Sequence, residues 1–127
     1  MQDRNLYEYA VIRVVPRVER EEFVNVGIIL FCKKSRFIKV LFELNVEKIQ
    51  CLCSEIDIVQ LELNLLSFQK IGEGDKNGGP IASMEVPERF RWLTAVRSSV
   101  IQTSRPHPGL SNDLEKTITR LFEELVL

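Results

Sequence analysis

Glu22-Phe-Val-Asn-Val-Gly-Ile-Ile-Leu-Phe-Cys32 is the longest β-type run of the chain, and the runs on either side share its alternation. It reads as the central strand of a sheet. Its even positions, Val24, Val26, Ile28, Leu30 and Cys32, are all apolar, whereas its odd positions set Asn25 and Gly27 among Phe23, Ile29 and Phe31. One face is core and the other is interrupted. An asparagine and a glycine inside such a strand point to a bulge, a close backbone approach or a binding surface.

Upstream, Leu6 to Val15 is rich in β-branched and aromatic residues and stops at Pro16, which has no N–H for a ladder. It is the first strand, with Arg13 on the parity of Asn25. The charged linker Arg17 to Glu21 turns the chain back, so the pair is antiparallel. Downstream, Phe37 to Leu44 alternates, with Ile38, Val40, Phe42 and Leu44 on one side and Lys39 and Glu43 on the other. A four-residue loop from Lys33 to Arg36 would set Leu30 opposite Lys39 and mix the faces, so an odd-length, bulged turn is expected.

The apolar even face of this meander needs a second layer. Asn45 caps a short turn, Val46 to Cys51, and Ser54 with Asp57 caps a helix running to about Lys70. Ile58, Leu61, Leu65 and Phe68 form its stripe, widened by Val59, Leu63 and Leu66 toward the core. Gly72 to Pro80 holds glycines around a lysine. It lacks the preceding strand and the Lys-Ser/Thr pair of a phosphate loop and reads as a mobile surface loop. Pro87 opens a helix over Glu88 to Ser98 with Phe90, Leu93 and Ala95 or Val96 inward. Val100 to Ser104 returns as a fourth strand, and Arg105-Pro-His-Pro-Gly109 is extended and stiff. Asn112 and Glu115 form a capping box for a last helix with the stripe Leu114, Ile118, Leu121, Phe122 and Leu125.

The expected fold is therefore α+β: a single domain over residues 1–127 holding an antiparallel three- to four-stranded meander sheet, with helices packed on one face. A chain of 127 residues can bury a sizeable core. Its 45% apolar and 28% charged content is that of globular proteins. Ile28 to Cys32, the longest apolar run, is far short of a membrane span, and the N-terminus has no signal-peptide pattern, so the cytoplasm is the expected location.

The chemistry is sparse. Cys32, Cys51 and Cys53 are odd in number and poorly spaced for a zinc knuckle, and with one histidine in the chain no metal or other cofactor is expected. His107 is held between two prolines, suiting a ligand or acid–base group, but no nucleophile elbow or partner completes a triad; the turn-residue reading is the stronger. Net charge is −1, yet Lys33, Lys34, Arg36 and Lys39 lack acidic neighbours, and Arg89, Arg91, Arg97 and Arg105 face little but Glu88. Converging in space, these stretches would make an anion-binding face; apart, a solvated surface. Arg13 and Asn25, with Arg105 from a further strand, form a cluster able to take a carboxylate, a phosphate or a partner backbone, or to satisfy buried polar atoms. Trp92 beside Arg91 is either a packing residue or a binding hot spot. The candidate partner- or anion-binding residues are thus Arg13, Asn25, Arg91, Trp92, Arg105 and His107.

Tyr9-Ala-Val-Ile-Arg-Val-Val-Pro16, Glu22-Phe-Val-Asn-Val-Gly-Ile-Ile-Leu30, Arg105-Pro-His-Pro108 and Leu121-Phe-Glu-Glu-Leu-Val126 together resemble the domain-of-unknown-function family 3037, with the Asn-Val-Gly signature the most specific part. The resemblance spans nearly the whole chain. It implies a bacterial cytosolic protein without assigned activity or catalytic residues, and a partner or regulatory role beside a HipA-like kinase. With no complete catalytic constellation, the leading expectation is a noncatalytic protein-interaction or regulatory module. The alternative is a nucleic-acid or nucleotide binder using the basic stretches.

Overall fold

The computed structural model describes residues 4–95 and 99–127. Five antiparallel strands, β1 (Asn5–Val14), β2 (Val24–Cys32), β3 (Phe37–Phe42), β4 (Ile101–Thr103) and β5 (His107–Ser111), form one sheet. Its order is β3-β2-β1-β4, with β5 continuing beside the other half of β1. The helices are α1 (Val46–Leu52), α2 (Ile58–Glu73), α3 (Val86–Leu93) and α4 (Leu114–Leu125). The α+β class and the antiparallel sheet are as the sequence reading expects.

The layering differs from that reading. Helices cover both faces of the sheet, not one. Ile12, Val14, Val26, Ile29, Phe31 and Val40 pack with Ile49, Leu61, Leu65, Phe68, Phe90 and Leu93 of α1, α2 and α3. Tyr7, Val11, Ile28, Leu30 and Cys32 pack instead with Leu114, Ile118 and Leu121 of α4. The reason lies in β2. Ile12 pairs with Gly27 and Arg13 with Asn25, so Val26 is an extra residue in the ladder. This bulge shifts the alternation by one residue. Val24 and Val26 face the three helices, but beyond the bulge Ile29 and Phe31 take over that face, and Ile28, Leu30 and Cys32 turn to α4.

The same two-sided burial removes the argument for an odd-length turn. The loop from Lys33 to Arg36 has four residues, Leu30 pairs with Lys39, and the turn closes through Arg36 N–H to Lys33 O with Arg36 at φ 51°. Because both faces are apolar, no parity conflict arises; Lys39 lies toward α4 and donates to Glu115 at 2.7 Å.

A fifth strand follows the fourth. Between β4 and β5 the ladder is carried by Ser104, whose N–H donates to Val11 O at 2.8 Å and whose Oγ accepts from Val11 N–H at 2.9 Å. Pro106 and Pro108 are tolerated because this is an edge of the sheet.

The caps of α1 and α2 are those the sequence marks: the Asn45 side chain accepts from Lys48 N–H and Asp57 from Gln60 N–H. For α4 the cap is Asp113, one residue after Asn112, accepting from Lys116 N–H. Helix α2 runs to Glu73 and ends on Gly74 at φ 70°. The segment after it forms short 3-10 turns at Lys76–Gly78 and Pro80–Ser83. Two expectations for the helices fail. Val59 and Leu63 are 70% and 55% exposed rather than core, because the stripe that meets the sheet is Leu61, Leu65, Phe68 and Ile71. Helix α3 ends at Leu93, with Ala95 exposed beyond it; the expected continuation through Val96 to Ser98 falls outside the described residues. Among the described residues no helix is long and apolar enough to cross a membrane.

Candidate protein-interaction groove

Where the three-helix layer ends, part of the sheet is left open, and a groove of about 490 Å³ lies there. Its floor is Leu6 and Glu8 of β1 with Phe31 and Lys33 at the end of β2; α3 supplies Pro87, Phe90, Arg91 and Thr94, and Pro106 and Pro108 form the far rim. This volume falls in the range of ligand-sized clefts.

Two contacts hold α3 in place, one on this floor and one on α2. The Phe90 ring stacks on Phe31 with centroids 4.8 Å apart. Arg89, one residue earlier, turns the other way and donates from Nη1 to the carbonyls of Ile71 and Gly72 at 3.1 and 3.0 Å. At this end of α2 the carbonyls lack i+4 partners, and among the described backbone N–H groups Ile71 O is met by the capping Gly74 alone, so a cation there adds the missing donors and complements the helix dipole. With Phe90 inward and Arg89 bound to α2, Arg91 falls at the groove, exposed.

The apolar floor extends past the groove walls. Leu6 and Leu110 are cross-strand partners, 63% and 60% exposed. Lys33, Arg91 and Glu8 form no ion pair among the described residues. Among the described residues, the two basic stretches meet at the groove through one residue each, Lys33 and Arg91. Lys39 is engaged by Glu115 and Arg89 by the end of α2, and Arg97 falls outside the described residues.

The remaining candidates lie elsewhere. Arg13 and Asn25 are a registered pair beside the bulge. Asn25 Nδ2 donates to Leu125 O at 3.1 Å, holding the end of α4, and the Arg13 guanidinium lies 4.1 Å from the centre of the Phe23 ring. Burial pulls the Arg13 guanidinium below its ordinary value; Arg13 Nε and Asn25 Oδ1 are buried with no hydrogen-bond partner. A polar cleft of about 320 Å³ adjoins Asn25, lined also by Glu43, Glu47 and Lys48. Arg105 does not join this pair: the β4 neighbour of Arg13 is Gln102, and Arg105 lies exposed between β4 and β5. Trp92 packs toward Phe68, centroids 6.5 Å apart, and His107 lies against Tyr9 at 5.3 Å. Of the six residues singled out in the sequence, then, Arg13 and Asn25 come together, and only Arg91 lines the groove.

Leu6, Glu8, Phe31 and the rim prolines are not site candidates in the sequence, and Lys33 enters there only as part of a basic stretch. The signals present were the acid-free basic run beginning at Lys33 and the stiff Pro-His-Pro segment. Among the described residues no group of three or more His, Cys, Asp or Glu side chains is placed to hold a metal ion.

A family model described as protein of unknown function, DUF3037, matches residues 9–126. The chain belongs to this family. Comparison with curated proteins and with solved structures found no match. The DUF3037 match spans all five strands except the start of β1, and it takes in every lining residue of the groove other than Leu6 and Glu8.

Proposed function

We propose that this DUF3037 protein is a noncatalytic interaction module that docks a partner protein in the groove between α3 and the open end of the sheet. The observation that carries the reading is the exposed apolar pair Leu6–Leu110, beside a groove that Leu6 lines together with the buried Phe31 and Phe90. Exposed apolar area bordered by polar groups is the usual mark of an association surface. Lys33, Arg91 and Glu8 supply such a border. A regulatory role fits the same reading, and the HipA-like kinase implied by the family resemblance is the first partner to assay. The nucleic-acid alternative is less well supported, since Lys39 and Arg89 are both engaged within the fold.

The test is co-purification of tagged protein from its host, comparing the natural chain with a Leu6→Ser, Leu110→Ser double variant at low and high salt. Both positions are exposed, so folding is expected to survive. A stoichiometric protein retained at high salt and lost with the double variant supports the reading. Equal recovery with both forms contradicts it. Nucleic acid released by salt would favour the alternative, because phosphate contacts weaken steeply as salt rises.

A further inference from the structure

Charge at the groove narrows what it takes, and this step rests on the interaction reading above. Its lining carries two exposed cations, Lys33 and Arg91, on opposite sides: Lys33 follows β2 at the floor, and Arg91 is on α3. Neither has an ion-pair partner among the described residues. The lining also takes in the buried, mutually stacked Phe31 and Phe90, and the third charged lining residue is Glu8 on β1. We infer that the occupant is a short segment of a partner protein that places a large apolar side chain against Leu6 and Leu110 and a carboxylate between Lys33 and Arg91.

Glu8 separates a peptide from a polyanion. A phosphate chain carries charge along its whole length and would be repelled at Glu8. A peptide with a single acidic position avoids this, and its backbone N–H groups are donors a carboxylate accepts. Length separates a peptide from a small anion. The exposed Leu6–Leu110 pair prolongs the apolar floor beyond the cleft, so a ligand confined to the cleft would leave that surface uncovered. The rim opposite α3 presents Pro106 and Pro108, which have no N–H to offer. The positive charge that would fix the polarity of the segment therefore comes from Lys33 and Arg91.

The probe is a random display library of short linear peptides, selected separately on the natural protein, on a Lys33→Glu, Arg91→Glu variant and on a Leu6→Ser, Leu110→Ser variant. Thermal melts first confirm that all three are folded. The expected result is enrichment of peptides with Asp or Glu next to a large apolar residue. The charge-reversed form should bind these at least about tenfold more weakly and select Lys or Arg at the same position; the serine variant should weaken all selected peptides alike. Peptides that depend on Leu6 and Leu110 but show no acidic preference would overturn the acidic occupant and leave the interaction reading standing. Selected peptides indifferent to both variants, or no enrichment at all, would overturn both. An oligonucleotide bound tighter than every selected peptide would overturn the peptide assignment in favour of a polyanion.

Discussion

Gly27 stands where a larger residue has no room. A Cβ at that position would lie 2.5 Å from the Leu41 carbonyl oxygen and 3.0 Å from Ile12 Cδ1. The first of these is backbone, which cannot swing aside, so Gly27→Ala should push β2 and β3 apart and cost about 1–3 kcal/mol. Urea unfolding measures this, and an unchanged midpoint would show that the bulge relaxes freely. Asn25, two residues earlier, is also tied to the fold by its bond to the carbonyl of Leu125. The sequence shows that both residues need a reason, and a bulge and a close backbone approach are among the reasons it suggests. It does not show that the extra residue is Val26, because valine is at home in any strand position. For that reason the switch of faces along β2 was hidden, although each residue's preference for burial was plain.

At the scale of elements, α3 is placed by its neighbours more than by its own length. It has eight residues, too few for appreciable stability alone. Its position depends on Phe90 stacking over Phe31 and on Arg89 reaching the end of α2. Arg89→Ala should therefore destabilise the protein by about 1–3 kcal/mol, the range for losing hydrogen bonds from a charged donor. It should also speed hydrogen exchange at Gly74 and Asp75, whose N–H groups close the same helix end on Ile71 and Lys70. Unchanged exchange there would mean that Arg89 does not secure the junction. Local grammar reveals elements of this kind unevenly. The caps at Asn45 and Asp57 are legible because a side-chain acceptor three residues before its donor is a short-range pattern. The strand β5 is not, since its prolines argue against pairing until the chain is known to lie at an edge. Val59 and Leu63 look like core because apolar width on a helix says nothing about whether the surface opposite reaches that far.

At the scale of the molecule, a sheet buried on both faces explains why β1, β2 and β3 carry apolar residues on both parities, and why the uncovered end matters. The three-helix layer covers Ile12 and Val14 but stops short of Leu6, and α4 lies on the opposite face. Alternation in the sequence shows which face Leu6 points to; only the packing sets Leu110 beside it and shows both to be exposed. In the proposed function a partner protein occupies this end. The most direct test places a photo-crosslinking residue at Leu110, inside the proposed interface, and in a second protein at Glu123, exposed on α4, followed by irradiation in the host cell. One discrete crosslinked protein is expected from position 110 and none of that species from position 123. The same products from both positions, or none from position 110, would contradict the proposed function.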